Sequence, residues 1–505
     1  MEASATFVAM GRHLLAIAAA AAMLELAGGA PASASPLEDG ALGGLPFTGA
    51  AHSHPSAVHI NPAGIGLAGR GLHLYLGGHM QIDQLSVDRR LVDPDTGEEV
   101  PGPSGSATTP TPSGMFALYY GGADISLALA SFTPMAERFP VDDAFRYHSR
   151  GGHHYQWTLM ALAGSWRITS RIIVGASLGL GNATSLRLKY SRDRALDGGS
   201  AGVDGDCGGS PCGFENPIAE QRYRVNVSST DLAFDDKGDW YEVPWGIFKS
   251  IFSAQNLSLS AGILYEVTRD WWVGIGYQGP PGVLGTRELS GDVWVQDAAL
   301  DGSFTRRGKA EVGYGLPHAL HAAVRGPLYA LPGWDLSVGA RFLVAEPHQQ
   351  FDIRLFGGDL GPTVPEWQPR YRGFDWSLRT HAGVERQESA RLRLGARLGF
   401  ENSTVSASET SPMQVAGTRL SAAGGLEWRL APPVVLGLAY SLSVLPAVDA
   451  PATGFDPRAQ VACVDSGFDL DDCEASREGR GLATAAGSYT RLLHIMSLSL
   501  RWDFL

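Results

Sequence analysis

Four arginines, Arg341, Arg379, Arg393 and Arg397, stand at positions where small or aliphatic residues alternate with polar ones. A guanidinium binds a carboxylate through two parallel hydrogen bonds, so several on one surface suit an acid ligand. Asp335, Asp375, Glu385 and Glu427 follow the same alternation, and the competing reading is a set of ion pairs bracing a wall. A second candidate is apolar. Val243, Trp245, Ile247, Phe248, Ile251 and Phe252 recur at mostly helical spacings between polar, acidic stretches. They predict either a capture surface for a hydrophobic molecule or a helix packed on a rim.

The cysteines form two local pairs, Cys207 with Cys212 and Cys463 with Cys473. In an exported chain an even, locally paired count reads most simply as two disulfides. Calcium is the competing idea, because Asp204 and Asp206, or Asp465, Asp469, Asp471 and Asp472, lie close by. Other signals fail on context, and the reading assigns no catalytic residue, metal or cofactor. Gly274 to Gly279 spells GxGxxG but runs into Pro280-Pro281 where a dinucleotide site needs a helix. His148, His153 and His154 lack a regular ligand spacing. No nucleophile motif supports a lipid hydrolase.

The elements that must position these residues are strands. In the last segment Met496, Leu498, Leu500, Trp502 and Phe504 share one face, and Ser497, Ser499, Arg501 and Asp503 the other. Leu392, Leu394, Leu398 and Phe400 likewise oppose Arg391, Arg393 and Arg397, and Phe374, Trp376, Leu378 and Val384 oppose Asp375, Arg379, His381 and Glu385. Arginines are costly against hydrocarbon, so the charged faces point into a wet or paired lumen and the apolar faces meet lipid.

This alternation predicts fourteen strands, at 72–87, 115–121, 124–133, 154–167, 172–190, 257–268, 271–279, 309–325, 334–344, 373–385, 391–400, 418–430, 434–445 and 489–504. Every second connection is short, and the intervening ones are longer. That rhythm belongs to an all-β, antiparallel transmembrane β-barrel with both termini on the short-turn side. Trp166, Trp271, Trp272, Trp334, Trp428 and Trp502 lie near short turns or the C terminus, at the depth of one interfacial belt. Pro317 interrupts one strand and predicts a kink or bulge.

Composition agrees. Arg12, an apolar run from Leu14 to Leu24 and the small residues Ala32-Ser33-Ala34 read as a secretory signal over 1–34. No later apolar stretch has the roughly 18 residues a membrane helix needs. Glycine, at 64 of 505 residues, suits tight turns and a small-residue interior, and the net charge of −13 argues against a nucleic-acid partner. A barrel this wide needs a plug. Residues 35–71 precede the first strand without strand periodicity and carry Asn61-Pro62-Ala63-Gly64, a tight-turn signal.

With that motif the chain resembles the FadL-like long-chain fatty acid transporters of Gram-negative outer membranes. Ser56-Ala57-Val58 precedes the motif; Trp166 to Thr169, Tyr265 to Thr268, Leu316 to Ala319 and the closing Gly487 to Phe504 extend the likeness over nearly the whole mature chain. The resemblance implies a barrel, 72–505, whose lumen is closed by a hatch, 35–71. It implies capture of hydrophobic molecules such as fatty acids in an outer apolar groove, then passage past the hatch, by a monomer whose surroundings are outer-membrane lipid. A diffusion porin is the alternative, and it would need neither hatch nor apolar loop.

Overall fold

The computed structural model describes residues 46–92, 98–138, 154–193, 220–228, 257–280, 287–297, 305–345, 350–450 (without 363, 369, 372–373, 375, 406–409, 411–414 and 416) and 486–504. Its sheet has nineteen strands: β1 (Gly71–Val92), β2 (Glu99–Gly121), β3 (Ile125–Arg138), β4 (His154–Thr169), β5 (Ile172–Asp193), β6 (Glu220–Ser228), β7 (Leu257–Thr268), β8 (Trp271–Gln278), β9 (Arg287–Asp297), β10 (Thr305–Tyr314), β11 (His318–Pro327), β12 (Trp334–Val344), β13 (Gln350–Phe356), β14 (Arg370–Tyr371), β15 (Trp376–Gln387), β16 (Leu392–Glu401), β17 (Arg419–Ala431), β18 (Val434–Ala450) and β19 (Gly487–Phe504).

Fourteen of these close a ring, each antiparallel to its neighbours. Closure is made by β1 on β19, paired from Leu72 with Phe504 to Arg89 with Gly487. A closed ring leaves no strand edge unpaired, which hydrocarbon demands. The remaining five, β6, β9, β10, β13 and β14, extend the sheet from the far end of β5, opposite the short turns. The tightest short turn joins β7 to β8 through Asp270, at φ 65°, whose N–H donates to Glu266 Oε1 at 3.0 Å. No helix among the described residues is long and apolar enough to cross a membrane, which says nothing of strands.

Alternation decides which face meets what. On β16, Leu398 is 68 % exposed and its neighbour Arg397 only 8 %. Met496, Leu498, Trp502 and Phe504 of β19 are exposed in the same way. The outward surface is thus apolar, and the charged residues point into the ring.

Four expectations are corrected. The segment 309–325 is two strands: 305–314 belongs to the outer extension and 318–327 to the ring, with Pro317 in the break. Proline has no N–H to give the ladder, so the chain changes layer there. β2 begins sixteen residues before the expected 115, at Glu99, through Pro101, Pro103, Pro110 and Pro112. These prolines are tolerated because above Met115 the strand pairs with β1 alone. Phe374 precedes β15 and is buried in the core at 4 % exposure, not turned to lipid. Trp272 faces inward beneath the Arg167 guanidinium, 5.9 Å from its ring centroid, while Trp166, Trp428 and Trp502 are exposed.

A second outward aromatic set, absent from the sequence reading, lies away from the short turns. Tyr277 and Tyr440 hydrogen-bond His318 and His494 at 2.7 and 2.8 Å, and Phe342 stacks on Trp376 at 5.8 Å. Amphipathic rings suit the lipid headgroup level.

The lipid-facing assignment predicts that Leu398→Arg lowers the stability of protein refolded into vesicles by about 2–4 kcal/mol. Urea titration of tryptophan fluorescence checks this, and an unchanged midpoint contradicts it.

Candidate functional site

Residues 46–70 form an arm inside the ring. Pro46 and Phe47 rest on β16, His52 reaches β15, His54 packs on β1, Asn61 to Ala63 lie on β5, β7 and β8, and Gly66 accepts a hydrogen bond from Arg167 of β4. The arm contains one α-helical turn, Ala57–Ile60, and a 3₁₀ helix, Pro62–Leu67.

The motif at 61–64 is fixed residue by residue. Asn61 is extended, and its side-chain oxygen accepts from Ala63 N at 3.2 Å, capping the 3₁₀ helix. Its amide donates to the carbonyls of Ala50, at 2.6 Å, and Ile263, at 3.3 Å, tying the arm to itself and to β7. Pro62 starts the helix, where its missing N–H costs nothing. Ala63 is wholly buried, and a methyl on Gly64 would overlap the His52 carbonyl and lie 2.9 Å from Ala57 Cβ.

The wall beneath is equally constrained. Side chains at Gly175, Gly262, Gly274 and Gly276 would overlap Ala63, Asn61, Ala50 and Ile60 respectively. Four inward glycines therefore let the arm's backbone lie directly on the sheet. Gly395 makes the same allowance for Pro46 and Phe47 on β16.

Ionic contacts hold the other side. Arg397 donates to the carbonyls of Pro46, at 2.6 Å, and Thr48. Arg393 lies over the Phe47 ring at 4.7 Å and pairs with Glu385 and, at 2.9 Å, Glu427. Glu385 also meets His52 and Arg325, each at 2.9 Å. Higher on the wall Arg341, at 2.9 Å, and Arg419 bind Glu401, whose direct neighbour on β15 is Arg379. Removing one member of such a buried pair strands the other, typically at about 3–5 kcal/mol.

All four candidate arginines thus face inward, three beside wall carboxylates and Arg397 on the arm's carbonyls. Register across strands decides these partners: Arg341 and Glu401 are 60 residues apart. Trp245, Ile247, Phe248, Ile251 and Phe252, all four cysteines, the acidic loop clusters and residues 1–45 lie outside the described residues. Among the described residues no group of three or more His, Cys, Asp or Glu is arranged to hold a metal ion.

The lumen has two characters. Inward residues of β2 to β4, including Met115, Tyr119, Phe132 and Leu159, are apolar and share a core with the arm's Val58, Ile60, Ala63 and Ile65. Across it, β15 to β17 carry the charges. The largest cavity, about 870 Å³, lies on neither: Met80, Leu394, Leu438, Tyr440 and Met496 line it, all facing lipid by strand parity. It is a groove in the outer wall.

Solved structures share this architecture. The chain matches a FadL homologue of Pseudomonas aeruginosa with a TM-score of 0.64 at 13 % identity, covering 94 % of this chain and 100 % of that one. This chain has the FadL-type barrel fold. The P. putida toluene transporter TodX matches with a TM-score of 0.58 at 12 % identity, over 94 % and 99 % of the two chains. The monoaromatic hydrocarbon channel CymD gives 0.58 and 12 %, over 94 % and 98 %. No protein-family model and no curated protein matches the sequence. Within this FadL-type barrel, the arm and the wall that carries it are the candidate site.

Two outcomes follow from the arm's contacts. Asn61→Ala leaves the Ala50 carbonyl and Ala63 N–H unpaired, weakening arm docking by about 1–3 kcal/mol; limited proteolysis should then cleave within 46–70 while the barrel stays intact. Burial holds the His52 imidazole down at about 4 against an ordinary 6.5, although Glu385 opposes the shift. Above pH 6.5 the docked and released imidazoles are both neutral. Between 6.5 and 4 only the released one gains a proton, so docking weakens by about tenfold per pH unit from this group. Hydrogen exchange of the arm amides between pH 7 and 4 should show this, with the slope reduced in His52→Gln.

Proposed function

We propose that the chain is an outer-membrane channel of Gram-negative cells that takes up hydrophobic molecules, with the arm as its hatch and long-chain fatty acids as cargo. The observation that carries this reading is that the arm is held by contacts such a molecule can replace. Its Val58, Ile60 and Ile65 pack on apolar wall, and an alkyl chain offers the same surface. Its Pro46 and Thr48 carbonyls are held by Arg397, and a carboxylate binds a guanidinium more strongly than a neutral carbonyl does. Cargo entering the lumen therefore competes with the arm for both, and the arm moves aside.

Arg341 and Arg379, near Arg397, extend the guanidinium surface for a carboxylate. Export through a signal at 1–34, capture by the 243–252 segment and action as a monomer belong to the same proposal. A second reading, monoaromatic hydrocarbons, is favoured by the toluene and monoaromatic channels that share the fold. A diffusion porin is disfavoured, since an apolar inner wall offers nothing to a polar solute.

Proteoliposomes carrying the full chain test this. Oleate should enter at least several-fold faster than into empty vesicles, while a polar trisaccharide stays out. Arg397→Gln should slow oleate with little effect on toluene. Trisaccharide entry without oleate uptake supports the porin and overturns the proposal.

A further inference from the structure

The inward face of β1 carries two polar groups that neither the arm nor the ion pairs use. His79 is 4 % exposed, and neither of its ring nitrogens has a hydrogen-bond partner. Tyr75, two turns of the pleat away, is 3 % exposed; its hydroxyl has no partner in bonding geometry, and Ser499 is the polar group beside it.

Gly77 separates the two on the same face. A side chain there would lie 3.0 Å from the Tyr75 hydroxyl and 3.1 Å from His79 Nε2. Glycine therefore keeps one shared space open between them, and both polar atoms border it. The residues directly across from His79 and Gly77 are Ser497, Ser113, Ser499 and Met115, all uncharged. On the arm side the His54 ring meets Tyr75 edge-on at 5.1 Å, its Nδ1 already bound to Ser56 Oγ at 2.9 Å.

An unpaired buried polar atom is costly, and native structures keep few of them. We propose that Tyr75 and His79 form a subsite for the hydroxyl of an uncharged, otherwise apolar molecule, phenol being the simplest example. A neutral imidazole offers one donor and one acceptor, and the tyrosine hydroxyl is both. Together they satisfy a hydroxyl that must donate and accept. The uncharged neighbours give a carboxylate no counter-charge here, unlike the arginine wall opposite. The inference rests on the hydrophobic-uptake reading and narrows one class of its cargo.

Full-length protein in nanodiscs, titrated calorimetrically with phenol and with toluene, tests it. Tyr75→Phe, His79→Leu and Gly77→Ala should each weaken phenol binding by about tenfold, the first two by removing a hydrogen bond and the third by filling the gap. His79→Gln, which keeps a donor and an acceptor, should retain affinity within about threefold, by the same bookkeeping of hydrogen bonds. Toluene, lacking the hydroxyl, should bind alike in all five proteins, which also reports that the variants are folded. Equal phenol affinity across the variants means that only a buried water occupies the space, and overturns the subsite. Parallel losses for toluene and phenol also overturn it. Toluene entry into proteoliposomes separates the two claims: entry with unchanged phenol affinities refutes the subsite alone, whereas no entry and no binding refute the uptake reading as well.

Discussion

Everything inside this barrel depends on how closely a peptide backbone approaches a sheet. A strand normally holds a neighbour off by the height of its side chains, and the lumen of fourteen strands is too wide for side chains to fill. Inward glycines at 175, 262, 274 and 276 remove that spacing on one side, so the arm's backbone lies against the wall. Asn61 then makes its hydrogen bonds to Ala50 and Ile263. Larger residues at those four positions would lift the arm away, and the cap, the apolar packing and the Arg397 contact would all lose their geometry together.

The opposite wall works through charge. Arg397 holds arm carbonyls, and Glu385 collects His52, Arg325 and Arg393. Shape complementarity on one side and exchangeable polar contacts on the other suit a plug that must stay in place yet be displaced. The glycine side has no substitute for the arm's own backbone. The arginine side does, because an anion presents the same acceptor atoms more strongly.

Much of the fold was legible because lipid and lumen impose opposite demands on alternate residues, as at Leu398 beside Arg397. Where that contrast fails, so does the reading. The prolines of β2 concealed a strand, and apolar 318–325 ran on from 309–314 without a change of pattern, although Pro317 marked the change of layer. Within the site, Asn61 to Gly64 were visible as a turn, but the glycines that receive them were not. Gly274 and Gly276 had even matched a nucleotide-binding spacing; their spacing of two serves one face of a strand that carries the arm. The pairing of Arg341 with Glu401 depends on cross-strand register, which no local pattern encodes. Tyr75 and His79 gave no signal because isolated polar residues on an inward face are ordinary until their partners are known.

Photo-crosslinking from position 47 in intact outer membranes is the most direct measurement of the arm's place. With p-azidophenylalanine replacing Phe47, the account predicts an intramolecular crosslink to the β16 peptide around Gly395, mapped by mass spectrometry after proteolysis. A probe that reacts only with other proteins or with solvent would contradict an arm seated in the lumen.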